Sequence, residues 1–289
     1  MSHVRSIRGL ALACLVAGAL GPVSLSAQAA RIVTSSSSPW VTDARGAGTA
    51  AITGTNPRSG NGSLELQTTG ALDDWGWYDL FAGDPFSSGW GLLENLNRLS
   101  FSWSRASDGL GGDAVWQAQS VAFRLFVRST VDGVPTFSEL VWEKYYNDGS
   151  PAPRDVWNVE DLSNQLFWRV VGGSDYTIAD CSSPSTITPG IPLKLDSPAS
   201  WVGQGGCFAP DDAYVYGVGI GVGSNWPLPF HGFADDVQVG FANQLAVNDN
   251  FELGSGGSVT PEPASLALMA TGLFGVAALV RRRRATTSG

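Results

Sequence analysis

From residue 30 to residue 260 apolar and polar residues alternate with a period of two, turn residues interrupt the pattern at short intervals, and no convincing helical stretch occurs before Pro261. A strand sends successive side chains to opposite faces, so this period restricts the chain to sheet. Ser63-Leu64-Glu65-Leu66-Gln67 alternates after the turn Ser59-Gly60-Asn61-Gly62, and Leu99-Ser100-Phe101-Ser102-Trp103 does so again. Val121, Phe123, Leu125 and Val127 point one way and Arg124 and Arg128 the other, which predicts a core face and a solvated charged face. Phe137 to Tyr146 alternates less cleanly, as a strand covered on both sides near one end would. Further strands are expected at Asp155 to Val159, Leu166 to Val171 and Pro192 to Leu195, with Ala234 to Phe241 and a closing Asn250-Phe251-Glu252 after them.

Tyr214 to Gly223 is the most informative strand. Tyr216, Val218, Ile220 and Val222 share one face in strict alternation, and Gly217, Gly219, Gly221 and Gly223 share the other. A bare glycine face invites close contact, either from a layer of aromatic side chains or from a ligand approaching the backbone. With eleven tryptophans and thirteen phenylalanines to place, aromatic packing is the expectation. Ten or more short strands over this length predict an all-β fold, a two-sheet antiparallel sandwich of jelly-roll type.

The two ends of the chain do not belong to that fold. His3, Arg5 and Arg8 form a basic opening, Leu10 to Leu20 an apolar core, and Ala27-Gln28-Ala29 a small-x-small cleavage site, so residues 1–29 read as a signal peptide handled by the Sec translocon and signal peptidase. At the other end, Ala264 to Val280 is an uncharged run of 17 residues followed by Arg281, Arg282, Arg283 and Arg284. A helix of that length spans about 25 Å, near the lower limit for a hydrocarbon core of about 30 Å. Its large apolar side chains lie all round the helix, as lipid on every side requires. Arginines flanking a span stay cytoplasmic, which puts everything before Pro261 outside.

With both ends set aside, residues 30–257 form one ectodomain. Removing Arg5, Arg8, the four terminal arginines and Glu262 leaves 11 basic against 25 acidic residues, a charge near −14. Nucleic acid and anionic membrane surfaces both need a basic footprint and are excluded; divalent cations and neutral sugars are not. Cys14 leaves with the leader, and the remaining pair, Cys181 and Cys207, reads as one disulfide in an exported protein. Closing a loop of about 26 residues would stabilise the fold by about 3 kcal/mol in the chain-entropy account.

Pro261-Glu262-Pro263, the short apolar helix of residues 264–280 and the arginine cluster of residues 281–284, in that order within the segment 258–289, resemble the PEP-CTERM sorting signal of Gram-negative bacteria. This signal is also described as an ice-binding protein C-terminal domain. The resemblance implies recognition by an exosortase-type sorting protease, cleavage near Pro-Glu-Pro while the tail sits in the inner membrane, and delivery to the cell surface or extracellular matrix. The ectodomain, with Gly-Ser-Leu-Glu-Leu near its start and Asp-Asp-Val-x-Val near its end, is similar to jelly-roll carbohydrate-binding and concanavalin-like domains. That second resemblance implies a structural calcium, a hard cation that takes oxygen ligands, for which Asp235 and Asp236 fit by type. A solvated or turn-capping acid pair is the competing reading.

It also implies a sugar ligand held by stacking on exposed rings beside acids and amides. Asp73-Asp74-Trp75-Gly76-Trp77-Tyr78, Ser88-Gly89-Trp90-Gly91 and Gly223-Ser224-Asn225-Trp226-Pro227 supply the candidates Asp74, Trp77, Trp90 and Trp226, although the parity of Trp75 and Trp77 also suits a core role. No catalytic residue is expected. His231 is the sole histidine after the leader, and neither Gly-x-Ser-x-Gly nor His-Glu-x-x-His occurs. Glu139 and Glu143 share one side of a strand but stand about 13 Å apart, too far for the carboxylate pair of a glycosidase. The sequence therefore reads as a non-catalytic exported surface or matrix protein that binds exopolysaccharide. A carbohydrate-active hydrolase on the same fold and an adhesion or ice-binding module are the alternatives, and the latter lacks a visible threonine array.

Overall fold

The computed structural model describes residues 28–108, 116–131, 134–171, 177–178, 194–203, 205–223, 226–242 and 244–254. These residues build two sheets facing one another across a single core. The first sheet contains β1 (Arg31–Thr34), β3 (Thr49–Thr53), β4 (Ser63–Thr68), β7 (Leu96–Arg105), β10 (Asn158–Asp161), β14 (Phe230–Phe241) and β15 (Gln244–Glu252). The second contains β2 (Val41–Arg45), β5 (Trp75–Phe81), β6 (Gly91–Leu92), β8 (Ala122–Val131), β9 (Val134–Trp142), β11 (Phe167–Val171), β12 (Thr177–Ile178) and β13 (Tyr214–Gly223). The order in the first is β1-β15-β14-β4-β3, with β7 also on β14 and β10 on β7; in the second it is β12-β11-β9-β8-β13-β5-β2. Every pairing is antiparallel except that of β1 with β15. That parallel pair ties the first strand to the last. Arg31 Nε donates to Asp249 Oδ1 at 2.8 Å, and Trp40 Nε1 reaches Asp249 Oδ2 at 2.7 Å.

The period-two reading finds its core. Leu64, Leu66, Leu99, Phe101, Trp103, Val237 and Val239 of the first sheet meet Phe123, Leu125, Val127, Leu140, Trp142, Val218, Ile220 and Val222 of the second, all buried. Burying each such side chain is worth about 1.5–3 kcal/mol, so this seam supplies the main favourable term of folding.

Local departures from the expected strands each have a polar cause. The run expected from Phe137 to Tyr146 stops at Trp142 and turns into the single-turn helix α1 (Lys144–Asn147). Lys144 is buried there with its ammonium on Ser150 O at 2.9 Å, and the Asn147 amide bridges Glu143 O and Leu166 O, each at 3.0 Å. Asp155 sits outside β10, in the left-handed region at φ 55°, and accepts the Ser107 N–H at 2.9 Å. Lys194 and Leu195 form no named strand, and Pro192 lies outside the described residues. The closing strand is β15, paired with β14 across a register shift at Val239/Gly240.

β13 keeps its glycine face but breaks the expected alternation once. A register shift between Val215 and Gly217 puts Val215 in the core and turns Tyr216 outward. There Tyr216 stacks on Phe81 at 6.1 Å between centroids. The aromatic layer expected over the glycines is present: a Cβ on Gly221 would fall 2.3 Å from Trp77 Cδ2, and one on Gly217 2.6 Å from Phe81 Cδ1. At Gly219 the covering side chains are Asp79 and Arg124 instead of rings. Substituting Gly221→Val should therefore cost about 1–3 kcal/mol of stability through overpacking, read as a lower midpoint in chemical denaturation with an unchanged m-value.

Candidate functional site

The outer face of the second sheet is where the chain concentrates chemistry. In register across β2, β5, β13 and β8, Asp43 opposes Trp77, which opposes Gly221; Asp79 opposes Gly219, which opposes Arg124; and Phe81 opposes Gly217, which opposes Phe126. Glu139 of β9 opposes Phe126, and Phe137 opposes Arg128. The glycines form a trough into which the neighbouring side chains lie down.

The sequence predicted a solvated Arg124, and the structure corrects this: Arg124 is buried. Its Nε and Nη2 donate to the two oxygens of Asp79 at 3.2 and 2.6 Å, its Nη1 to Glu139 at 3.2 Å, and its Nη2 also to Asp43 at 3.4 Å. The guanidinium carbon stands 4.1 Å from the Trp77 ring centroid and 4.7 Å from that of Phe126. Such a group is buried only when its charge is met, and here three carboxylates meet it. Burial nevertheless outweighs the attraction of Arg124 on the acids: it pushes Asp79 up to about 6 and raises Glu139 as well. Alternation alone could not show this, because a charged side chain on an outward position is ordinarily solvated.

Beside this cluster the rings of Phe126, Phe81, Tyr216, Phe137 and Phe86 follow one another at centroid distances of 4.9, 6.1, 5.7 and 5.1 Å. Phe81 is 40% exposed and Phe86 66% exposed at the tip of the loop before β6. Phe126 and Tyr216 are buried, as is Trp77, so the aromatic surface open to a ligand is made by Trp75, Phe81, Phe137 and Phe86, with acceptor oxygens beside it. Sequence reasoning missed Phe81, Phe86, Phe126, Phe137 and Tyr216; the parity of β5, β8 and β9 relative to the glycine face was the signal available for the strand residues.

The residues singled out from sequence fall in several places. Trp77 lies on this face, buried beneath Arg124. Trp90 is half-buried against the core and donates its backbone N–H to Val215 O at 2.9 Å. Trp226 is in the core, 5.1 Å from Phe230, and donates to Glu143. Its proline-flanked position suggested an exposed ring, but burial withdraws it from an external ligand. Asp74 is also buried and ties turns together, accepting the backbone N–H groups of Ala47 at 2.9 Å and Thr69 at 3.1 Å and the Thr69 hydroxyl. The Thr69 hydroxyl, followed by the Ala47 N–H, holds its carboxyl below the usual range. Cys207 is disulfide-bonded, and Cys181 lies outside the described residues. So do the leader through Ala27 and the sorting segment with Pro261, Glu262, Pro263 and the four arginines; among the described residues no helix is long and apolar enough to cross a membrane.

Asp235 and Asp236 occupy the opposite face, at the pole of the first sheet under the loop of residues 54–62. Asp236 pairs with Arg58 and takes the left-handed conformation at φ 50°. Asp235 is fully buried; its Oδ1 accepts the N–H groups of Asp236 at 2.8 Å and Phe251 at 2.9 Å, while its Oδ2 has no partner. The Oδ1 of buried Asn250 also lacks a partner, and its amide donates to Glu252 at 3.0 Å. Burial, reinforced by Glu252, pushes Asp235 up to about 7. Hard oxygens of this kind are the donor type a calcium ion takes, but Asp236 is already committed to Arg58, and among the described residues no group of three or more His, Cys, Asp or Glu is placed to hold a metal ion.

Glu143, just past β9, accepts Trp168 Nε1 at 3.1 Å and a second bond from Trp226; burial pushes it up to about 7 despite these bonds. A carboxyl holding its proton near neutrality could serve as a general acid, but a glycosidase needs a second carboxylate about 5–10 Å away. Glu139, four residues back along the strand direction, stands about 13 Å off. The raised value has a stability consequence instead. The folded chain keeps a proton on Glu143 that the unfolded chain releases near 4.5, so its contribution is fully present below pH 4.5 and is lost as pH rises through about 7. Glu143→Gln should flatten that fall and stabilise the protein by roughly 1–3 kcal/mol at pH 8, measured by urea denaturation at pH 4, 6 and 8.

Comparison with known proteins places the chain at its C-terminal end. Residues 259–284 match the PEP-CTERM protein-sorting motif, which marks an exported protein sorted to the cell envelope or surface. None of the curated proteins matches. Among solved structures, the chain is similar to the family 11 carbohydrate-binding module of the cellulosomal cellulase Lic26A-Cel5E of Clostridium thermocellum, at 12% identity and a TM-score of 0.35 over 70% of this chain and 88% of that one. It is similar also to a Clostridium thermocellum family 11 module in complex with a β-1,3-1,4-mixed-linked tetrasaccharide, at 12% identity and a TM-score of 0.33 over 73% and 91% of the two chains. A third structure, concerned with the promiscuous specificity of carbohydrate-binding modules of the β-sandwich superfamily, shares 11% identity at a TM-score of 0.32. That match covers 70% of this chain and only 56% of the other. These likenesses place no individual residue of this chain.

Proposed function

We propose that this is a non-catalytic exported protein, carried to the cell surface or extracellular matrix by its PEP-CTERM tail, whose outer sheet face binds exopolysaccharide. On this reading residues 1–29 are the signal peptide, residues 30–257 a jelly-roll ectodomain, and residues 258–289 a sorting tail with its helix at residues 264–280, cut near Pro261 by an exosortase-type protease. The observation that carries the ligand is the aromatic platform running from the half-buried Trp75 through Phe81 and Phe137 to the exposed Phe86, bordered by Asp43 and Glu139. Sugar rings stack by their apolar faces on such rings while their hydroxyls donate to carboxylate oxygens. With the full chain in detergent on a glycan array, Phe81→Ala and Phe86→Ala should each weaken binding about tenfold, as truncation of an exposed aromatic anchor does. Wild-type affinity in either variant would count against the platform.

The buried oxygens of Asp235 and Asn250 support a structural calcium at the pole of the first sheet. Bound there, the ion would hold the loop of residues 54–62 against β14 and β15 and relieve the cost of burying Asp235. Millimolar calcium should then raise the melting temperature by several degrees, chelation should reverse the rise, and Asp235→Asn should abolish the response.

A further inference from the structure

The binding face also has the means to sort its ligands by charge. Proteins recognise carboxylates mainly through a free guanidinium fork, which offers paired donors. Here the fork at the centre of the platform is occupied, with Arg124 donating to Asp79 at 3.2 and 2.6 Å, to Glu139 at 3.2 Å and to Asp43 at 3.4 Å. One cation serves three acids. Beyond Arg124, the charges acting most on Asp79 are those of Asp43 and Glu139, both of the same sign as its own carboxylate. Asp43 is the acid within reach of a ligand: its side chain is 43% exposed, and its Oδ1 accepts Trp75 Nε1 at 3.3 Å. Arg45 and Arg128 stand at the margins, Arg45 5.0 Å from the Trp75 ring centroid and Arg128 5.2 Å from that of Tyr214 with its Nη1 on Pro85 O at 3.1 Å.

We propose that this face accepts uncharged glycan chains and turns away uronate-bearing ones, with Asp43, Asp79 and Glu139 as the residues that determine this specificity. The inference rests on the polysaccharide reading of the same platform. A neutral sugar stacked beside Trp75 and Phe81 offers hydroxyl donors that the exposed carboxylate of Asp43 can accept as charge-assisted bonds. A uronate at the centre of the face sets a carboxylate against these acids where the Arg124 fork is already spent, while Arg45 and Arg128 stand off at the two margins, and like charges at an interface are a recognised source of discrimination.

The test uses the full chain in detergent with two probes of equal length, a neutral β-linked glucose hexasaccharide and a β-linked glucuronate hexasaccharide, at low and high salt. At low salt the neutral probe should bind at least about tenfold tighter, and 0.5 M salt should narrow the gap. Asp43→Asn should strengthen uronate binding by about three- to fivefold while weakening neutral binding. Uronate binding as tight as neutral binding, or a gap that ignores both salt and Asp43→Asn, would overturn the charge selection and leave the polysaccharide reading intact. Failure of both probes to bind would overturn the polysaccharide reading and this inference together.

Discussion

The outer face of the second sheet depends on the bare backbone of β13. With glycine at positions 217, 219 and 221, no Cβ projects between β5 and β8, and each would-be Cβ lies within 2.6 Å of an atom of Phe81, Asp79 or Trp77. Large side chains from the neighbouring strands therefore lie flat across the middle of the sheet instead of standing off it. Arg124 is the most consequential of them, because a guanidinium pressed onto Gly219 loses its water and has to be met by acids. The cluster of Asp43, Asp79 and Glu139 thus follows from a steric fact about one strand.

An ion cluster so placed is a poor source of stability, since desolvating its members offsets much of their attraction. Its value lies in shape and polarity. It holds Trp77 beneath the guanidinium and fixes acceptor oxygens beside a row of rings that ends in the half-exposed Phe81 and the exposed Phe86. Stacking surface and acceptors are preorganised on strands, which suits an extended, hydroxyl-rich ligand.

Elsewhere the molecule buries carboxyls that have no cation to meet them. Burial pushes both Asp235 and Glu143 up to about 7. For Glu143 two indole N–H groups supply the donors, from Trp168 and Trp226. For Asp235 one oxygen is spent on backbone N–H groups and the other has no hydrogen-bond partner within reach.

Alternation, turn residues and the C-terminal motif were enough to determine the all-β class, most of the strands, the inward faces of β4, β7 and β8, and the sorting of the chain to the cell envelope or surface. Those properties are local: parity along a strand and the length and flanks of an apolar run are fixed by neighbours in sequence. The outer face of the second sheet was not legible in the same way. Reading along the chain, Trp226 looked exposed because proline and glycine surround it, and Arg124 looked solvated because it faces away from leucines. Which loop folds under, and which outward face is roofed by side chains from strands fifty or a hundred residues away, depends on strand order and on one register shift at Tyr216, and only the tertiary structure decides these.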